Sequence, residues 1–218
     1  MFNRFRYIKF HKRYKQIAKA KSYFPEFAPL VFEYFFTDFG YAMPLSLLAK
    51  IEKICKEIEP NLVIEFGSGL STIVITDVLS GTEGFLISID ESMKWLAKSY
   101  QLVNHTSRGA FICLPYNSGI NHAALSKYLL AKAKPDLVII DGPSRAARFS
   151  VFAMEVYSEL LSPNCVCVVD DTDREENDLG ASTLAAKFSL HKKDYGDPIY
   201  VSHQYSILFP ECFDEGIF

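Results

Sequence analysis

The chain has no run of about 18 apolar residues, the length a bilayer-spanning helix requires. Its first residues also lack the apolar core of a secretion signal. Cysteine is scarce: five among 218 residues, an odd number without paired spacing. This argues against a disulfide framework and fits reduced, buried thiols of a cytoplasmic protein. Cys165 and Cys167 form one Cys-x-Cys pair, and no second pair completes a zinc site. His105, His122, His191 and His203 are scattered without the His-x-x-x-His spacing of metal ligands. There is no basic surplus either, because 23 Lys and Arg stand against 26 Asp and Glu, a net charge of −3. That balance does not build a long nucleic-acid groove, and no stable nucleic-acid partner is expected. The sequence shows no internal repeat and no low-complexity tract.

What is present is a globular composition, 49% apolar, in a length that suits one α/β domain with a small appendage. Residues 1–21 carry eight Lys or Arg and no acid, which leaves 15 basic against 26 acidic residues in the remainder. Tyr7, Phe10, Tyr14 and Ile17 recur at helical spacing among these charges. Such a helix either packs its aromatic stripe on the domain, the favoured reading, or makes weak contact with an anionic membrane. Residues 22–44 are rich in aromatics and interrupted by Pro25 and Pro29, so they are expected to fold onto the domain as a lid. The expected organisation is a basic and aromatic helical extension over 1–44 and a ligand-binding domain over 45–218. Peripheral membrane association and a homodimer are left open.

Beyond Pro44, Leu47, Leu48, Ile51, Ile54, Cys55 and Ile58 draw one apolar helical stripe that Pro60 stops. Apolar runs at 62–64, 85–89, 111–114, 136–140 and 165–169 read as buried strands. Between them, helices are expected over 72–80, 93–103, 121–134 and 151–161, with a last one over 181–189. The 72–80 stretch is rich in β-branched residues, yet a crossover must link two parallel strands there. Residues 199–201 and 205–209 read as strands near a closing hairpin. The alternation gives an α/β domain, a mainly parallel sheet with helices on both faces.

The most informative stretch follows the first of these strands. Glu65 stands at the strand end, then Gly67 and Gly69, with Ser71 and Thr72 where a helix begins. Glycines let the backbone come close to a ligand, and a helix N-terminus offers free N–H groups and partial positive charge. Asp90 ends the second strand 21 residues beyond Gly69, where a carboxylate can accept both hydroxyls of a ribose. A dinucleotide fingerprint would need a third glycine where Thr72 stands, and Glu65 would repel a pyrophosphate. A ligand carrying an ammonium or a sulfonium suits Glu65 better. Glu-x-Gly-x-Gly followed by a distant Asp resembles the first two motifs of class I S-adenosylmethionine-dependent methyltransferases, over about residues 43–210. The resemblance implies a Rossmann-like, doubly wound, mainly parallel seven-stranded sheet with an antiparallel C-terminal strand. It also implies that the turn of Gly67, Ser68, Gly69 and Ser71 holds the methionine carboxylate of S-adenosylmethionine and Glu65 its ammonium. Asp90, with Glu91 beside it, would hold the ribose, and Leu114 and Tyr116 the adenine.

Ligands of open α/β sheets bind outside the carboxyl ends of the strands, and acids stand at four such ends: Glu65, Asp90, Asp141 and the pair Asp170-Asp171. The last three residues resemble the metal ligands of catechol-type O-methyltransferases. That resemblance implies Asp141 as a catalytic carboxylate, with Asp141, Asp170 and Asp171 around Mg²⁺, Ca²⁺ or another divalent cation. The Lys those enzymes carry three residues after the first Asp is here Ser144, followed by Arg145. Arg145 and Arg148 could clamp an acidic substrate, and His122, at a helix start, is read as structural rather than as a base. The function implied is methyl transfer to oxygen of a small molecule or glycan. Its rivals are an NAD-type oxidoreductase, opposed by Thr72 and Glu65, and a non-catalytic nucleoside-binding or membrane-docked module, favoured if the acidic strand ends do not converge.

Overall fold

The computed structural model of the protein describes residues 43–103, 108–114, 134–143, 148–198 and 202–213. The extension expected over 1–44 therefore lies, but for its last two residues, outside the described residues. So do the helix expected over 121–134 (all but Lys134), the strand expected over 199–201, and Tyr116, His105, His122, Ser144 and Arg145.

Helix α1 runs Leu45–Ile58. It buries Leu47, Leu48, Ile51 and Ile54 completely, as the stripe predicts. Strand β1, Leu62–Phe66, is followed by α2, Leu70–Leu79. Eight of the ten α2 residues are buried, all but Asp77 and Val78. That burial explains how a β-branched segment becomes a helix: packing on both sides outweighs the small propensity cost of Ile and Val. Strand β2 is Phe85–Asp90, α3 is Met93–Leu102 and β3 is Arg108–Cys113. Strand β4 is Leu137–Ile140, α4 is Val151–Leu160 and β5 is Val166–Val169. The chain closes with α5, Glu175–Phe188, β6, His191–Gly196, and β7, Gln204–Phe209.

The strands form one sheet in the order β3-β2-β1-β4-β5-β7-β6. The pairs β3–β2, β2–β1, β1–β4 and β4–β5 are parallel, whereas β7 runs antiparallel to both β5 and β6. This is the expected seven-stranded, Rossmann-like sheet. Alternate residues feed two cores. Val63, Leu137, Ile139, Val166 and Val168 face α1 and α2, while Ile64, Val138, Ile140, Cys167 and Val169 face α4 and α5. Fully burying one such aliphatic side chain contributes about 1.5–3 kcal/mol, so the two-faced strands hold the sheet rigid beneath its loops.

Three features depart from the sequence reading. Helix α5 begins at Glu175, six residues before the expected start, because Glu175, Glu176 and Asp178 occupy its first turn, where acids complement the helix dipole. Strand β6, with Lys192, Lys193 and Asp194 in its span, was not expected at all. It is the edge strand, and charge at an edge discourages pairing with other chains. Of the thiols, Cys55, Cys165 and Cys167 are buried as expected, but Cys113 is half-buried and Cys212 exposed. Burial pushes the Cys55 and Cys165 thiols up to about 12, which leaves them neutral and inert. No described helix is long and apolar enough to cross a membrane.

Candidate functional site

The strand order reverses between β1 and β4, and the loops leaving these two strands touch. Gly67, at φ +97°, lies so close to the next loop that a Cβ on it would stand 2.7 Å from the Gly142 nitrogen. A Cβ on Gly142 would in turn stand 2.9 Å from Gly67 Cα. Both N–H groups of Asp141 and Gly142 donate to the Phe66 carbonyl. Glycine is needed at 67 for its backbone conformation and for this contact, so the reading of Gly67 as a ligand-facing residue captures only part of its role. Tyr157 of α4, a residue the sequence reading passed over, donates its hydroxyl to the Gly142 carbonyl at 3.2 Å and packs edge-on against Phe66.

On the β1–β2 side the acids are held by hydroxyls and backbone amides. Glu65 is 0% exposed. Its Oε2 accepts from Thr72 at 2.6 Å and Ser88 at 2.7 Å, while Oε1 has no partner. Burial raises its pKa to about 7, with the nearby hydroxyls of Ser71, Thr72 and Ser88 opposing the rise. Thr72 also accepts the Gly69 N–H at 2.9 Å, so the residue that replaces the dinucleotide glycine ties the buried acid to the turn. Glu65 thus lies beneath the turn and not on its surface.

Asp90 accepts the Ser68 N–H at 2.7 Å and the Ser92 N–H at 2.6 Å. Its pKa is raised by burial, with Glu91 adding to the effect and both N–H groups opposing it. These bonds redistribute the expected roles. Gly67, Ser68 and Gly69 donate their N–H groups to Ile89, Asp90 and Thr72. The donors left for an anion are those a helix N-terminus leaves over, on Leu70 and Ser71. Ser71 adds a buried hydroxyl without a partner. Leu114 follows β3, half-buried, and donates its N–H to the Asp90 carbonyl; Glu91, next to Asp90 in the chain, is half-buried.

On the β4–β5 side the acids are held by cations. Arg148 is 3% exposed, and each of its five donors has an acceptor. Nε donates to the Pro143 carbonyl at 3.4 Å. One terminal nitrogen donates to the Asp170 carbonyl at 3.0 Å and to Asp171 Oδ2 at 3.2 Å. The other donates to the Asp141 carbonyl and, at 3.3 Å, to Asp141 Oδ1. Arg174 also reaches Asp171 Oδ2, at 2.8 Å. His203 Nε2 lies 2.8 Å from Asp170 Oδ1, and its Nδ1 is 3.7 Å from Asp171 Oδ1.

Arg148 is therefore not free to clamp an acidic substrate, a correction to the sequence reading. Asp171 sits at φ +59°, a conformation rare for a non-glycine residue. The Asn177 side chain and the Arg174 N–H hold its carbonyl in that turn. Asp141, with 26% of its side chain exposed, has its pKa raised well above the usual range by burial and by the Asp170 carboxylate, with Arg148 opposing. Burial and Asp170 likewise raise Asp171, against Arg148, Arg174 and His203. At His203, burial disfavours the imidazolium, but Asp170, Asp171 and Asp173 outweigh it and raise its pKa.

The acids of all four strand ends thus stand along one edge of the sheet. The fold is shared with solved structures of class I S-adenosylmethionine-dependent methyltransferases. A Bacillus cereus O-methyltransferase in complex with S-adenosylhomocysteine superposes with a TM-score of 0.59 at 13% identity, over 78% of this chain and 83% of that one. Human methyltransferase-like protein 13, also with S-adenosylhomocysteine, gives 0.55 at 13% identity over 78% and 83%. A Staphylococcus aureus protein assigned as a caffeoyl-CoA O-methyltransferase gives 0.55 at 12% identity, over 96% of this chain and all of that one. No protein-family model and no curated protein matches the chain.

Proposed function

We propose that the protein transfers a methyl group from S-adenosylmethionine to an oxygen of a small molecule or glycan. The observation that carries this reading is the turn at Gly67–Ser71: an acid with an unpaired oxygen lies beneath it, and unpaired helix N-terminal donors and the Ser71 hydroxyl lie beside it. A zwitterionic amino acid group matches that arrangement, since its carboxylate takes the donors and its ammonium sits in the field of Glu65. A pyrophosphate matches it poorly, because Glu65 would repel it.

When bound, S-adenosylmethionine supplies an electrophilic methyl on a sulfonium. The residues of this chain do the rest. Leu70, Ser71 and the dipole of α2 bind the carboxylate. Asp90 keeps its remaining acceptor capacity for ribose hydroxyls, and Leu114 borders the adenine. Asp141 is the carboxylate that accepts the proton of the attacking hydroxyl, and its raised pKa makes it the stronger base. Alignment of nucleophile and methyl supplies much of the rate.

A divalent cation is not part of this reading. Asp141 and Asp171 already face one saturated guanidinium, and Asp170 faces His203, so the three carboxylates do not fit a metal site. S-adenosylhomocysteine should raise the melting temperature of the full chain and NAD should not. A shift with NAD and none with S-adenosylhomocysteine would replace this reading with the oxidoreductase.

A further inference from the structure

Three carboxylates at the ends of two adjacent strands repel one another unless a proton or a cation relieves them. In this chain the charge is covalently attached. The Arg148 guanidinium, which stays protonated at any pH the protein meets, reaches the carboxylates of Asp141 and Asp171. It also reaches the main-chain carbonyls of Asp141 and Asp170. Through those carbonyls it ties the end of β4 to the end of β5. Arg174 adds a second guanidinium on Asp171. With all five donors engaged, Arg148 has no reason to leave.

We propose that Arg148 serves as a built-in cation in place of a divalent metal, so that the protein assembles the Asp141, Asp170 and Asp171 edge, and works, without one. A divalent ion entering this edge would have to displace the guanidinium, at the cost of its five hydrogen bonds, or lie beside it, against its positive charge. Among the described residues one grouping has ligand atoms within 4.8 Å of one another: Asp170, Asp171 and His203. Its Asp171 is shared by two arginines and its Asp170 already pairs with His203. Arg148 is thus a positioning residue: it sets the orientation of Asp141 and touches no substrate itself. The inference concerns the same edge as the proposed methyl transfer but does not depend on it.

The test is metal response, read by thermal unfolding and by elemental analysis of the full chain. The wild-type protein should hold no stoichiometric metal after dialysis, and its melting temperature should be unmoved by chelator or by millimolar Mg²⁺, Mn²⁺ or Ca²⁺. Arg148→Ala uncovers the carboxylates, so it should melt lower and be raised several degrees by Mn²⁺. Arg148→Lys keeps a cation without the planar fork, and should melt lower yet stay indifferent to metal. Stoichiometric metal in the wild type, or a fall in its melting temperature with chelator, overturns the proposal even if neither variant folds. So does an Arg148→Ala protein that folds and ignores Mn²⁺. A wild type that ignores both metal and S-adenosylhomocysteine would refute the proposed function while leaving this inference standing.

Discussion

The two halves of the sheet edge carry similar acids and neutralise them in opposite ways. At the β1–β2 side, Glu65 and Asp90 have no salt bridge among the described residues. They rest on hydroxyls of Thr72 and Ser88 and on N–H groups of Ser68 and Ser92. At the β4–β5 side, Asp141, Asp170 and Asp171 are each paired with Arg148, Arg174 or His203. The first arrangement leaves negative potential and an unpaired buried oxygen, which a cationic ligand can satisfy. The second is already balanced from within and holds its carboxylates still. One half is built to receive charge and the other to fix geometry.

The largest effect that would break this contrast comes from Arg148. Removing one partner of a buried ion cluster leaves uncompensated charge, and Arg148→Ala should cost about 3–5 kcal/mol in denaturant unfolding. A loss under about 1 kcal/mol would mean that water already screens the cluster.

Next in size is the pH dependence of Glu65. Its carboxyl titrates near 4.5 when unfolded and at about 7 in the fold. The unfolded chain therefore gives up its proton first, and the stability contributed by protonated Glu65 is full below 4.5 and lost as pH rises through about 7. Glu65→Gln cannot titrate. Relative to the wild type it should gain about 3 kcal/mol across that window, measured by urea unfolding at its two ends. His203, Asp141 and Asp171 decline in the same direction, which is why the difference between the two proteins is the quantity to read.

Asp90→Ala should weaken S-adenosylhomocysteine binding by about 1.5–3 kcal/mol, the range for hydrogen bonds to a charged group. That is roughly ten- to hundredfold in calorimetric titration. The smallest effect is expected of Tyr157→Phe, which deletes the bond to the Gly142 carbonyl while keeping the ring against Phe66. It should cost about 1 kcal/mol and leave S-adenosylhomocysteine affinity unchanged, which would sharpen the distinction between holding the loop and holding the ligand.

Much of the β1–β2 half was legible in the sequence because its parts are local. Glu65, the glycine turn and Thr72 fall within one turn of chain, and Asp90 follows at a spacing set by a single crossover. The buried strands were legible for a related reason, since Val, Ile and Leu runs such as Leu137–Ile140 have no other stable place. The β4–β5 half was not, because its bonds join distant residues. Arg148 meets Asp171 23 positions later, and Asp170 meets His203 33 positions later. Nothing in the residues next to Asp141 or to the Asp170-Asp171 pair says that the cation comes from the chain itself. Strand β6 escaped notice because an edge strand with Lys192, Lys193 and Asp194 has no apolar alternation to read. Ser68 and Gly69 were legible as turn residues, but not that their N–H groups would be taken by Asp90 and Thr72.

The most direct measurement is a calorimetric titration of the full chain with S-adenosylmethionine, run once in chelator and once in millimolar Mg²⁺. Saturable binding with the same affinity in both is the predicted result, because the receiving half holds the ligand and the balanced half needs no metal. Absence of binding in both, or binding only when Mg²⁺ is present, would contradict the account.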